Sequence, residues 1–111
     1  MNHIDVMGNL TKEVEIRFTS NQKPIALFTI AENRYNFHSK EKEAQFFLVT
    51  AFGKKAEIIS EYFHKGDKIK IGGHMDFVSY ADEEGQQRQY WRIILEDFEF
   101  CQPKKKEATE A

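Results

Sequence analysis

Phe46, Leu48, Thr50 and Phe52 alternate with Phe47, Val49 and Ala51, and Gly53 and Lys54 follow directly. In an extended chain successive side chains point to opposite faces. Phe46 and Phe52 therefore share one face with Leu48 and Thr50, and Phe47 lies on the other. Both faces are apolar, yet the run is too short and too β-branched for a buried helix. One face suffices for a core, so the second needs a cover. A nucleic-acid base is one candidate, because its flat π-surface stacks on an aromatic ring whatever the base. The plain alternative places both rings in the core, and the apolar opposite face argues against it.

The elements that must hold these rings can be read on either side. Residues 3 to 10 alternate, with Ile4, Val6 and Leu10 on one side and Gly8 at a bulge or tight bend. Val14, Ile16 and Phe18 extend the same strand. Pro24 closes a turn, and from Ile25 to Ala31 the residues Ile25, Leu27 and Thr29 oppose Ala26, Phe28 and Ile30. Residues 33 to 44 are polar and aperiodic, and read as a long loop carrying Arg34, Tyr35 and Phe37. A helix is expected over residues 54–63, with Ala56, Ile59 and Phe63 inward, Glu57 and Glu61 outward, and Lys65 and Gly66 as its stop. Residues 67–80 form a strand bent at Gly72-Gly73, residues 82–85 a hairpin tip, and residues 88–101 the last strand, with Trp91 packing beside Ile93 and Leu95. Cys101 closes that strand as a buried structural thiol. Five strands with one helix between the third and fourth make an all-β OB-fold barrel, whose closure removes exposed edges. Residues 1–101 form this domain, and residues 102–111 read as a short disordered charged tail.

Composition narrows the function. A chain of 111 residues holds one core and no second catalytic lobe. No apolar run approaches the roughly 20 residues that span a membrane, and no basic-then-apolar leader follows Met1. A lone cysteine, Cys101, makes no internal disulfide, which fits a reducing compartment. The net charge is −2, and residues 102–111 hold three lysines and two glutamates, so the body is at −3. Nucleic-acid affinity here must lean on stacking more than on counterion release. His3, His38, His64 and His74 fall in four separate segments. His3 and Asp5 make at most a pair of ligands, and Gly72-Gly73 lacks the lysine and helix of a phosphate loop. No catalytic residue, metal or cofactor is expected.

The residues also carry a resemblance. Gly8-Asn-Leu with Glu15-Ile16-Arg17-Phe18, then Phe28-Thr-Ile-Ala31, Phe52-Gly-Lys54 with Ala56-Glu57, and Tyr62-Phe-His-Lys-Gly66 follow one another in the order found in bacterial single-stranded-DNA-binding proteins. Tyr80 with Gly85-Gln86 and Arg88 is similar to that family's long hairpin. The resemblance covers residues 1 to about 101. It implies stacking by Phe46, Phe52 and Tyr80, with Tyr35 or Phe37 as the aromatic of the preceding loop. It also implies phosphate contacts by Lys54, Arg17 and Arg34. Where the family often has Arg-x-Arg, this chain has Asp76-Phe77-Val78, and Phe47 stands at a position often polar.

The implied activity is sequence-tolerant binding and protection of single-stranded DNA in replication, recombination or repair, without turnover. A homotetramer, with a dimer as alternative, is implied, as is a cytoplasmic, nucleoid-associated location. The glycine-rich linker and acidic tip that recruit enzymes in many members are missing from residues 102–111. A primosomal-type OB-fold interaction module and a single-stranded RNA binder are the alternative readings.

Overall fold

The computed structural model describes residues 1–101. The tail expected at 102–111 lies outside them. The chain runs β1 (Ile4–Leu10), β2 (Glu15–Phe18), β3 (Pro24–Asn36), β4 (Glu41–Phe52), α1 (Lys54–Tyr62), β5 (Lys68–Ala81) and β6 (Gln87–Phe100). The strands lie in the order β1-β5-β6-β4-β3-β2, and a further β1–β3 pairing closes the sheet into a barrel. This is the expected OB fold, with the helix between β4 and β5.

The expected first strand is two. β1 pairs with β5 from Ile4↔Gly73 to Asn9↔Lys68, crosses to β3 at Asn9↔Ala31 and Leu10↔Ile30, and breaks. β2 then continues along β3 from Glu15↔Leu27 to Phe18↔Pro24. One bent segment thus serves both ends of the sheet, which is how a barrel closes. Gly8 sits where the backbones cross: a Cβ there would run into the Ala31 carbonyl. The bend at Gly72-Gly73 is a β-bulge, because Gly72 faces Asp97 while Gly73 faces Leu95 and Glu96 is left over.

The core follows the alternation. Ala26, Phe28 and Ile30 of β3 meet Val49 and Ala51 of β4, Ile69 and Ile71 of β5, and Ile93 and Leu95 of β6, all buried. The helix stops one end with Ala56 and Ile59, both fully buried. Its first turn carries Glu57, which suits the positive end of the helix dipole. The helix ends at Tyr62, one residue short of the expected 54–63, and its last turn holds no basic residue. Phe63 leaves in extended conformation to bury its ring, which stacks on Phe100 at 4.8 Å and 12°. Tertiary burial of one aromatic therefore ends the helix before the glycine does. Gly66, at φ +91°, turns the chain afterwards toward β5.

The polar stretch 33–44 is not a loop. β3 and β4 stay in register from Ala31↔Phe46 out to Asn36↔Glu41, leaving residues 37–40 as the turn. Asn36 organises that turn, its Oδ1 accepting from the backbone of His38 (2.8 Å) and Ser39 (3.2 Å). The arm stands out from the barrel with water on both sides, so it has no apolar alternation to betray it. The β5–β6 pair behaves likewise, running from the bulge to the Asp82–Gly85 tip. Cys101 lies half-exposed beyond β6, its thiol 3.6 Å from Met7 Sδ, rather than buried as its place after an apolar strand suggested.

Candidate nucleic-acid interface

Residues directly opposite on paired strands project to the same face, so register shows which side chains stand together. Arg17, Ile25 and Phe52 form one row across β2, β3 and β4; Glu15, Leu27 and Thr50 form the next. Thr29 with Leu48, then Ala31 with Phe46, carry the face outward to Tyr35 with Lys42. Phe46 is 65% exposed and Phe52 45% exposed, so neither belongs to the core. Thr50, in the same rows, is almost fully covered.

That cover is the β5–β6 hairpin. A groove of about 360 Å³ has Leu27, Thr29, Leu48 and Thr50 in its floor, Lys12, Glu13 and Glu15 on one side, and Tyr90 and Arg92 of β6 on the other. A second groove, of about 620 Å³, lies between the arms and is lined by Phe46, Phe47 and Leu48 on β4 and by Met75, Trp91, Arg92 and Ile93 opposite. Leu48 and Arg92 line both, so the two grooves make one track.

Tyr80 pairs with Arg88 near the hairpin tip and meets Tyr90 edge-on at 6.0 Å. It shares the Tyr90–Arg92 side of the hairpin and extends the wall of the first groove. Tyr35 lies in the same rows as Phe46, with Phe37 beside it at 4.9 Å in a T-shaped contact. Arg17 stands in the row of Phe52. Lys54, on the first turn of α1, is 3.7 Å from Glu57. Arg34 pairs with Glu43 and so falls on the opposite face of the β3–β4 arm from Phe46.

Sequence reasoning placed Trp91 in the core by its period-two relation to Ile93 and Leu95. The register parity holds, but the barrel ends at Ile93. Trp91 lies one step beyond, 56% exposed, tilted against Phe77 at 4.8 Å. Tyr90, Arg92 and Met75 were missed with it. The signal that marked Tyr80, closeness to a polar hairpin tip, is weaker for Tyr90 and Trp91, which lie five and six residues from Gly85 where Tyr80 lies two from Asp82.

The electrostatics are muted. Every arginine of the chain is held by one of its own carboxylates: Arg17 Nε by Glu15 (2.6 Å), Arg34 Nε by Glu32 (2.8 Å), Arg88 Nε by Asp82 (2.9 Å) and Arg92 Nε by Asp76 (2.9 Å). Asp82 sits below the usual carboxylate range, first because the Gln86 backbone N–H donates to it and then because of the Arg88 guanidinium. Glu13, beside the first groove, is lowered by the Lys65 backbone N–H and then by His64. The track is thus aromatic and aliphatic, with compensated arginines and with Lys12 and Lys42 as further cations beside it. Such a surface can stack flat rings. Among the described residues no group of three or more His, Cys, Asp or Glu side chains is placed to hold a metal, and no helix is long and apolar enough to cross a membrane.

Comparison with known proteins decides the family. The profile of the single-strand binding protein family matches residues 1–101. The chain belongs to that family. It is 36% identical over 101 residues to a single-stranded DNA-binding protein of Clostridium perfringens, covering 90% of this chain and 65% of that one. Single-stranded DNA-binding protein 1 of Streptococcus pyogenes is 35% identical over 92% of this chain and 79% of its own. Single-stranded DNA-binding protein A of Bacillus subtilis is 30% identical over 94% and 61%. The chain therefore spans roughly two thirds of the length of these relatives. The family membership expected from the residue order holds over the whole barrel.

Proposed function

We propose that this member of the family binds single-stranded DNA with little regard to sequence and protects it by stoichiometric coating, not by turnover. The observation that carries this reading is the continuous track between the two projecting arms, lined by Phe46, Leu48, Tyr90 and Trp91. A duplex keeps its bases stacked inside, whereas an unpaired strand offers each base to a ring. Phe46, Phe52, Tyr80 and Tyr35 with Phe37 act as stacking platforms, and Arg17 and Lys54 meet phosphates. Arg34, on the far face of its arm, serves a strand that wraps over the hairpin. The names of the relatives agree with this reading.

The assembly is a homotetramer in this proposal. Among the described residues, Ile4–Gly8 of β1 have a strand partner on one side alone. Such an open edge suits pairing with a second copy, and Met7 beside it is exposed. Linking copies raises the effective concentration for successive contacts along one strand. Light scattering at micromolar concentration is expected to give a tetramer; a stable monomer contradicts this.

Trp91 is the single tryptophan and lies in the track, so its fluorescence reads occupancy. Titration with oligo-dT is expected to quench it, duplex DNA is not, and oligo-U tests the RNA alternative. Quenching by none of these, with a protein partner bound instead, would favour the interaction module.

A further inference from the structure

Arg92 stands apart from the other three arginines of the chain. Arg17, Arg34 and Arg88 have side chains 58–66% exposed, and each takes a carboxylate close by in the chain, Glu15, Glu32 and Asp82. The Arg92 side chain is only 28% exposed and is held from the neighbouring strand. Its cross-strand partner Asp76 accepts the Nε–H at 2.9 Å. Arg92 also lines both grooves, and so stands where they join. Leu48 lines both with it and lies on β4 between Phe46 and Phe52. Those two rings are six residues apart on an extended strand, a span of about 20 Å. A single strand with bases on both rings therefore carries its intervening phosphates past Leu48 and Arg92.

A phosphate drawn to the Arg92 guanidinium meets the Asp76 carboxylate behind it. Asp76 takes the Nε–H and leaves the terminal amino groups as donors, so a contact can form, but the ion pair is neutral as a unit. Attraction to the cation is offset by repulsion from an anion one guanidinium further away, and a partly covered pair is screened less by salt than an exposed one. We propose that Asp76 limits the affinity of the track for single strands, acting as an internal counter-ion that takes the place of a phosphate beside Arg92. Passage of a strand over the junction then releases no counterion there. The inference rests on the single-strand binding proposed above and adds a restraint on its strength. Affinity differences within one interface appear mostly in the dissociation rate, so the restraint acts as faster release of the strand.

The test is Asp76→Asn, which keeps an oxygen to accept the Nε–H and removes the charge. Oligo-dT is titrated against Trp91 fluorescence in the full chain over a range of salt. The variant is expected to bind about fivefold tighter than the parent at roughly 0.1 M salt and to release the strand correspondingly more slowly. Its slope of log K against log salt is expected to steepen by about 0.7, the contribution of one phosphate on a single strand. Glu61→Gln removes one negative charge from the exposed side of α1, and Glu61 lines neither groove. It is expected to stay within about twofold of the parent, because distant exposed charges are screened. Should Asp76→Asn misfold, Asp76→Ser is read by the same two values. Unchanged affinity and slope overturn the restraint while leaving single-strand binding intact. Weaker binding with a shallower slope does the same, since Asp76 would then serve to place Arg92 for the phosphate. An equal gain in Glu61→Gln also overturns it, by making the effect one of overall charge. No quenching of the parent by oligo-dT removes both the restraint and the reading beneath it.

Discussion

Phe46 and Phe52 sit on the same strand as the buried Val49 and Ala51, yet do different work, because their register faces them away from the barrel. Truncating either ring leaves the core untouched and removes a proposed stacking platform, worth roughly 1–3 kcal/mol per base. Phe46→Ala and Phe52→Ala are each expected to weaken oligo-dT binding by that amount while the melting temperature stays near that of the parent. A fall in melting temperature with unchanged affinity would make the ring structural. The outward facing of both rings was legible in the sequence, since a two-sided apolar strand needs a second cover. Trp91 was not. Its alternation with Ile93 and Leu95 is genuine, and nothing local announces that the barrel ends before it. Glu13 belongs to this scale too. Its carboxyl is lowered by the Lys65 N–H and by His64, so the bond it makes favours the folded state above the ordinary carboxylate pKa. That contribution is lost as pH falls through the folded value. Glu13→Gln is expected to destabilise at neutral pH and to narrow the gap to the parent at low pH, as read by melts from pH 7 to 3. A gap constant across that range would contradict the assignment.

At the scale of elements, α1 shows what local pattern can and cannot specify. Ala56, Ile59 and Phe63 at helical spacing placed the helix and its inner face, and all three are buried. Its end was set elsewhere, by the stacking of Phe63 on Phe100. Ile59 is fully buried where the helix stops the barrel. Ile59→Ala is expected to cost about 2–5 kcal/mol, measured by denaturant unfolding, with DNA affinity per folded molecule preserved because the track lies on the outer face. A cost below about 1 kcal/mol would mean that the helix is not part of the core. The strands divide in the same way. Within the barrel, β3 alternates cleanly and was read correctly. Outside it, the β3–β4 arm has no buried face, so residues 33–44 gave no periodicity and looked like a loop. The break between β1 and β2 was equally hidden, because the side-chain pattern continues from Leu10 through Val14 while the backbone changes partner.

For the whole molecule, the family profile over residues 1–101 and the closed barrel agree, and the open edge of β1 is where the proposed assembly would pair. The protein is at −2 overall, and each of its arginines already has a carboxylate partner. In the proposed mode a strand is held chiefly by rings, so few counterions leave on binding. The salt dependence of oligo-dT affinity, followed by Trp91 fluorescence from low to high salt, tests this most directly. Each phosphate neutralised on a single strand contributes about −0.7 to the slope of log K against log salt. The expected result is clear quenching with a slope no steeper than about −2, equivalent to roughly three phosphates per bound unit. A slope near −5 or beyond, or no quenching by oligo-dT at any salt, would contradict the account of a stacking track between two arms.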